Sequence, residues 1–369
     1  MKVLFCGGGT AGHVSPAIAI AEELIKRHKT ARVSFIGREG GEENSAITKK
    51  GYELRTLEIY GFNRKVSLEN ARRAAVALRA LARATRLLKE ISPDIVVGTG
   101  GYVCWPVIKA AQRMNIPTVI HESNAVAGLA TRLVEKGCKK VFLNFEESKK
   151  YLKNKACALT VGNPVRKEFF NISRADARVA LGISDKSFFI LSFGGSMGAE
   201  RVSDACISLM KSYSQSEREV FHIHAVGRRH YEKIKEMNPT LCKNDGRMQI
   251  VPYIEDMPPY LKAADLVICR SGAMTVSELA AASSVAILIP SPNVTDNHQY
   301  KNAKLLSDSG AAVLIEETDL SREALEKEVR RIRASRTEQM RMRSSIQKFS
   351  VKNAAERIVA EIELLVKKI

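Results

Sequence analysis

Twice in this chain a short apolar run breaks into glycines and then into a helix-like stretch. Met1-Lys-Val-Leu-Phe-Cys-Gly-Gly-Gly-Thr-Ala-Gly-His13 does so at the start, and Phe188-Phe-Ile-Leu-Ser-Phe-Gly-Gly-Ser-Met-Gly-Ala199 does so near the middle. A buried strand that turns through glycines into a helix leaves bare N–H groups at the positive end of the helix dipole. Such an end binds phosphate. Two copies in one chain predict two similar α/β domains facing each other across a cleft.

The rest of the chain fits that expectation. Val3-Leu-Phe, a helix from Pro16 to His28 and Arg32-Val-Ser-Phe-Ile36 read as β-α-β, and Asp94-Ile-Val-Val97, Thr118-Val-Ile120 and Lys140-Val-Phe-Leu143 read as further buried strands. After the second glycine turn come Phe221 to Val226, Gln249 to Val251, Leu266 to Ile268, Ala286 to Ile289 and Ala312 to Ile315. Alternation of this kind predicts mainly parallel sheets with helices on both faces. The 369 residues suit two domains of ordinary size. Pro164 disfavours a helix at Gly162-Asn-Pro, so the expected division is 1–163, 164–347 and a closing amphipathic helix within 348–369. That helix carries Ile358, Ile362 and Leu365 on one side.

Composition narrows the function classes. Hydrophobic residues make up 45% and charged residues 27%, as in ordinary globular chains. No apolar stretch approaches the roughly 18 residues of a membrane span, and no signal-peptide pattern precedes the first strand, so a cytoplasmic chain is expected. Seven scattered cysteines without a C-x-x-C pair point to reduced thiols, with Cys6, Cys104, Cys206 and Cys269 as core filler. A net charge of +18 calls for an anionic partner: nucleic acid, anionic lipid or a phosphorylated substrate. No nucleic-acid motif is visible, which disfavours the first.

Gly7-Gly-Gly-Thr-Ala-Gly12 matches G-x-G-x-x-G, but a dinucleotide site also wants an acidic residue about 20 positions on, and Glu39 comes late. A nicotinamide site and a turn needed only for packing both stay open at this point. His13, at the start of a helix, is a candidate base, because the dipole there disfavours its protonated form. His222-Ile-His224 puts two imidazoles on one strand face without an evident third ligand, so no metal site is expected. The chain also has no Asp-x-Asp motif to hold a metal-bound diphosphate.

Seven short motifs stand in one order: Gly8-Gly-Thr-Ala-Gly-His13, Gly100-Gly-Tyr-Val103, His121-Glu-Ser-Asn124, Val161-Gly-Asn-Pro-Val-Arg166, Gly194-Gly-Ser-Met-Gly-Ala199, Arg270-Ser-Gly-Ala-Met-Thr-Val-Ser-Glu278 and Gln299-Tyr-Lys-Asn-Ala303. Together, and over essentially the whole chain, they closely resemble the MurG family of peptidoglycan glycosyltransferases. The resemblance implies a GT-B fold: two Rossmann-like domains with the last helix returning to the first. It implies an inverting transfer of N-acetylglucosamine from UDP-GlcNAc to the 4-hydroxyl of MurNAc in lipid I, giving lipid II, without a metal or other cofactor. It also implies a peripheral protein at the cytoplasmic membrane face, working in cell-wall biogenesis, and so in cell shape and division, beside other cell-wall synthesis proteins.

The same resemblance assigns residues. His13 is the candidate base and Glu122 the second candidate. Thr10, Ala11 and Gly12 form the first loop, where Ala11 replaces a commoner Gly. Asn124 touches donor sugar or acceptor, and Ser123 beside it replaces a common Gln. Arg166 and Ser196 meet the diphosphate, and the backbone of Ile254 reads the uracil edge. Ala273, Met274, Thr275, Val276 and Ser277 line the nucleotide, and Glu278 holds the ribose. Gln299 touches sugar hydroxyls, and His298 stands where many relatives have another Gln. Trp105, the single tryptophan, is expected either at a lipid surface or in packing. Between Gly61 and Lys89, the basic residues Arg64, Lys65, Arg72, Arg73, Arg79, Arg83, Arg86 and Lys89 alternate with Val76, Leu78, Leu81, Leu87 and Leu88. That pattern suits an anionic membrane surface, or a solvated helix packed on its domain. Two other functions remain: a diacylglycerol glycosyltransferase of the same fold, and a non-catalytic NAD(P)- or nucleotide-binding protein.

Overall fold

The structure is a computed structural model. It describes residues 1–41, 44–61, 68–195, 198–243 and 246–367, and only the backbone of residues 11 and 68–71. The chain divides into two compact units, Met1–Val165 with Asn353–Ile369, and Arg166–Lys352.

The first unit holds a seven-stranded sheet: β1 (Lys2–Cys6), β2 (Arg32–Arg38), β3 (Glu53–Leu57), β4 (Ile95–Gly98), β5 (Thr118–Glu122), β6 (Lys140–Leu143) and β7 (Ala158–Thr160). Their spatial order is β3-β2-β1-β4-β5-β6-β7, and every pairing is parallel. The second unit repeats the plan with β8 (Phe188–Phe193), β9 (Val220–Ala225), β10 (Met248–Val251), β11 (Leu266–Cys269), β12 (Ala286–Leu288) and β13 (Ala312–Leu314), ordered β10-β9-β8-β11-β12-β13. Parallel strands need helices on both faces, which is why β1, β4, β5, β8 and β11 read as almost unbroken apolar runs. In each sheet the order reverses beside the first strand, between β1 and β4 and between β8 and β11. Ligands of open α/β sheets bind at the carboxyl ends of strands around such a point.

Three expectations change in detail. The first helix spans Ala11–Arg27 and contains Pro16, where the sequence suggested a start at Pro16. Thr10 sits in extended conformation immediately before it, so the glycine turn passes into helix without a spacer. Two strands, β3 and β7, were not expected. Both lie at the edges of the sheet, where a strand needs no continuous apolar run.

The closing helix runs Ala354–Val366. Ile358, Val359 and Ile362 are wholly buried against Val3, Phe5, Ile20, Leu24 and Val97 of the first unit. Burying a large aliphatic side chain contributes about 1.5–3 kcal/mol, so these three residues anchor the chain's end to the first unit. Arg27 and His28 reinforce the seam through the Glu363 carboxylate, at 3.6 and 2.8 Å.

The helix Leu68–Ile91 sorts its residues by face. Ala77, Ala80, Leu81, Ala84, Leu87 and Leu88 recur at helical spacing and are buried, as is Val76. Arg72, Arg79, Arg83, Arg86 and Lys89 face outward, and with them Leu78, 64% exposed. Arg64 and Lys65 lie outside the described residues. Trp105 is partly buried and packs against the core of the first unit.

Candidate functional site

In the first unit the loop after β1 meets the loop after β4. Gly8 N–H donates to the Gly100 carbonyl at 3.4 Å. Gly101 has φ +81°, and a Cβ there would overlap the Gly8 carbonyl oxygen. Gly100 has φ +111°, and a Cβ there would lie 2.5 Å from the Cδ2 of His13. Only glycine allows this approach, and the His13 ring is packed flat into it.

His13 Nδ1 lies 3.0 Å from the Gly8 carbonyl oxygen and 3.2 Å from Thr10 Oγ1. A carbonyl can only accept, so Nδ1 carries the hydrogen and the neutral ring keeps its basic lone pair on Nε2. The helix that begins at Ala11 has no acidic residue in its first turn, so its positive end is uncompensated. That end favours an anion nearby. Thr10 is exposed, Gly12 is half-buried, and only the backbone of Ala11 is described.

The loop after β5 carries the other two first-unit candidates. Glu122 is 5% exposed. Its Oε1 accepts from the backbone N–H and the side-chain amide of Asn124, each at 3.1 Å. Its Oε2 accepts from Gly128 N–H at 2.8 Å and Thr131 Oγ–H at 2.7 Å. Nearby, Asn144 donates to the Ser123 carbonyl (3.0 Å) and Ser148 to the Asn124 carbonyl (2.7 Å). Buried His121 donates through Nε2 to the Gly162 carbonyl (3.0 Å), and burial lowers its pKa.

In the second unit the loops after β11 and β12 interlock. Ser271 Oγ–H donates to the Gln299 carbonyl at 2.9 Å, and the buried Asn302 amide donates to the Ser271 carbonyl at 3.2 Å. Ser291 N–H donates to Gln299 Oε1 at 2.9 Å, which fixes the sense of the Gln299 carboxamide, with its oxygen engaged and its nitrogen as the donor end. Arg270 bridges both loops: its guanidinium pairs with Glu317 and donates to the carbonyls of Ile289 and Pro290, each at 3.2 Å.

The helix Ala273–Ala282 starts from this frame with no acid in its first turn. Ala273, Met274 and Thr275 are partly exposed, Val276 is buried, and Ser277 folds its hydroxyl back onto the Ala273 carbonyl at 3.1 Å. Glu278 is partly exposed, with protein packed around its carboxyl. Burial raises its pKa to about 7, and the positive charge of Arg166 opposes that rise. Arg166 itself is exposed and lies over the Phe169 ring at 5.4 Å.

Ile254 is buried, which leaves its backbone for recognition. His298 donates through Nδ1 to the Thr295 carbonyl at 2.8 Å. Ser196 lies outside the described residues. The structure therefore gathers Thr10 with His13 and Glu122 with Asn124 in one unit. In the other it gathers Arg166 with Glu278, and Gln299 with the loop that opens Ala273–Ser277.

Comparison with known proteins gives these loops a lineage. Residues 3–143 match the glycosyltransferase family 28 N-terminal domain and residues 189–358 match its C-terminal domain. A relative from Thermoanaerobacter sp. (strain X514) is 40% identical over 97% of this chain and 98% of its own length. One from Acetivibrio thermocellus is 39% identical over 100% and 99%. Both are named UDP-N-acetylglucosamine–N-acetylmuramyl-(pentapeptide) pyrophosphoryl-undecaprenol N-acetylglucosamine transferase. The crystal structure of Acinetobacter baumannii MurG superposes with a TM-score of 0.76 at 29% identity, over 100% of this chain and 99% of that one. The chain belongs to the MurG family. Its fold is GT-B, with two Rossmann-like units. The same fold, at 14% identity and a TM-score of 0.68, occurs in the S. aureus MnaA–UDP structure.

Against that background, several residues emerge that sequence reasoning did not single out. Tyr253, beside Ile254, is 39% exposed, carries the Arg228 guanidinium 4.9 Å over its ring, and has its phenol pKa raised by burial and by the charges of Glu255 and Glu278. Arg270 and Ser291 hold the loops to one another. A charged residue directly after a buried strand was the available signal for Arg270; nothing in the sequence marked Ser291, whose contribution is a backbone N–H.

Proposed function

We propose that this chain transfers N-acetylglucosamine from UDP-N-acetylglucosamine to the MurNAc 4-hydroxyl of lipid I, with inversion, to give lipid II. The observation that carries the reading is full-length identity of 39–40% to relatives named for that transfer, on a chain whose second unit sets the Arg166 charge to act on Glu278 and ties Gln299 to the loop that opens the helix Ala273–Ala282. Glu278, as carboxylate, accepts the two ribose hydroxyls. The amide N–H of Gln299 donates to the sugar. The backbone of Ile254 reads the uracil edge. Negative charge growing on the leaving UDP meets Arg166 and the uncompensated helix start at Ala273. These preorganised donors cost no rearrangement during reaction, and no divalent metal is needed.

The first unit supplies the acceptor side. His13 Nε2 takes the proton of the attacking hydroxyl. General-base help of this kind is worth roughly 10²–10⁴-fold. The outward face of the helix Leu68–Ile91, with five exposed cations and Leu78, suits an anionic cytoplasmic membrane surface, where charge and apolar contact act together. Among the described residues no helix is long and apolar enough to cross a membrane, and a peripheral attachment is proposed.

The test is UDP release from UDP-GlcNAc in EDTA, with and without a soluble lipid I analogue. Release that depends on the analogue is expected. Binding of UDP-GlcNAc without acceptor-dependent release would keep the donor side and overturn the acceptor. Activity restored only by a divalent metal would overturn the metal-free mechanism, and transfer to diacylglycerol in place of the analogue would favour the lipid-glycosylating alternative.

A further inference from the structure

A general base needs a lone pair aimed at the proton it removes. An ionised carboxylate offers about four lone-pair directions. All four of those on Glu122 are engaged by protein donors: two from Asn124, one from Gly128 and one from Thr131. The division between the two oxygens is clean. Among the described residues, Oε1 accepts only from Asn124, chelating its backbone N–H and its side-chain amide, and Oε2 accepts only from the turn into the short helix Leu129–Val134. The main chain on either side is pinned too, at Ser123 by Asn144 and at Asn124 by Ser148.

We propose that Glu122 is a positioning residue and not the base: its Oε1 fixes the side-chain amide of Asn124, so that Asn124 meets the substrate in one orientation. A rotating Asn amide presents donor and acceptor in either sense. Here one N–H is committed to Glu122, so the carboxamide is held against flipping, and its oxygen and second N–H keep fixed positions in the amide plane. A buried carboxylate with four donors gains charge-assisted bonds, and it would have to give up at least one of them to accept a substrate proton. That leaves the base role to His13 Nε2. The inference rests on the proposed transfer reaction for its kinetic consequence, but not for the geometry of the clamp.

Two measurements test it. The first needs no substrate: the side-chain amide of Asn124, assigned by ¹⁵N labelling and loss of its signal in Asn124→Ala. Slow hydrogen exchange is expected in the wild type and at least tenfold faster exchange in Glu122→Gln, where an NH₂ replaces an accepting oxygen. Thr131→Val, which removes a donor only from Oε2, is expected to lower Tm while changing that exchange less than twofold. Equal acceleration in both variants would overturn the division of labour and leave a purely structural carboxylate.

The second is kinetic, on the same variants. Glu122→Gln and Asn124→Ala are each expected to raise KM for one substrate by about tenfold, with the double variant no worse than either alone, and the acid limb of the kcat/KM profile is expected to persist in Glu122→Gln. Loss of that limb would make Glu122 the base and overturn the proposal. Multiplying effects would overturn the coupling to Asn124. A wild type that releases no UDP contradicts the transferase reading alone, because the exchange measurement still decides the clamp.

Discussion

The two units build the same strand–glycine–helix turn and support it with opposite chemistry. Gly9 and Gly195 take nearly the same backbone, φ +90° and +91°, and neither has a described atom within 4 Å of a would-be Cβ. Beneath the first turn lie two thiols, Cys6 at the end of β1 and Cys104 at the start of the helix Cys104–Arg113, with sulfurs 4.0 Å apart. Cys104 also touches the backbone of Gly100. Beneath the second lie imidazoles. Ser192 Oγ is 2.7 Å from His222 Nε2 and 2.7 Å from His224 Nδ1, and His224 Nε2 is 3.1 Å from Ser203 Oγ. The first turn is thus clamped from above by Gly100 and Gly101 and holds a histidine at its surface. The second keeps its histidines inside. A shared strand–glycine–helix pattern opens both units. The residues around it decide whether an imidazole stands at the turn or is buried beneath it.

That contrast can be broken from either side. The largest effect is expected at His13: His13→Ala should lose about 10²–10⁴-fold in kcat, measured by acceptor-dependent UDP release, and near-normal turnover would remove the base from this turn. Gly101→Ala comes next. It combines a left-handed backbone with overlap on the Gly8 carbonyl, so a loss of about 3 kcal/mol in unfolding free energy is expected from urea titration.

The buried imidazoles give a pH signature that the thiols of the first unit do not. Burial holds His222 well below its ordinary pKa, with the His224 charge adding to it, and holds His224 at about 4. A His pKa depressed on folding means that the unfolded chain takes up protons first. Stability is then complete above about 6.5 and falls as pH drops toward 4, by about 3 kcal/mol for His224 alone. His222 Nδ1 has no hydrogen-bond partner among the described residues. His222→Val should therefore flatten the pH dependence of the second unit's urea midpoint between pH 7 and 4.5. An unchanged slope would show that other groups carry it.

Gly195→Ala, in the open turn, should cost only the strain of the left-handed conformation, about 1–2 kcal/mol, less than Gly101→Ala. Equal losses would erase the distinction between the turns. The last effect is on binding and not on the fold, at Glu278. Its folded pKa of about 7 lies above the ordinary value, so ionisation opposes folding as pH rises toward 7 and yet supplies the carboxylate proposed to accept the ribose hydroxyls. UDP affinity should therefore rise with pH up to about 7, falling by up to tenfold per unit below it. Isothermal titration from pH 5.5 to 8 checks this, and Glu278→Gln should abolish the dependence.

Much of this architecture was legible in the residues. Central parallel strands are buried on both faces, so β1, β4, β5, β8 and β11 announced themselves as apolar runs. Glu53-Leu-Arg-Thr-Leu57 did not, because an edge strand with Glu53 and Arg55 exposed carries half the signal. Ala158–Thr160 is too short to show a period. The helix Leu68–Ile91 read as a mixture of cations and leucines. Only the fold separates Leu78, which faces out, from Leu81, Leu87 and Leu88, which face in. At the sites, His222 and His224 were correctly set on one face by their spacing of two. Their partner Ser192 was not legible, since it follows from the register that places Ser192 opposite His224. Glu122 illustrates the limit most clearly. Sequence identifies a carboxylate at a strand end, but only the folded loop shows that its lone pairs are spent on Asn124, Gly128 and Thr131.

The proposed roles divide the labour, with the base on the first turn and nucleotide recognition in the second unit. UDP affinity and single-turnover rate, measured side by side for His13→Ala and Glu278→Ala, test that division. His13→Ala is expected to bind UDP within twofold of wild type while its transfer rate collapses, and Glu278→Ala to lose UDP affinity at least tenfold. A His13→Ala protein that no longer binds UDP, or a Glu278→Ala protein that binds it normally, would overturn the division.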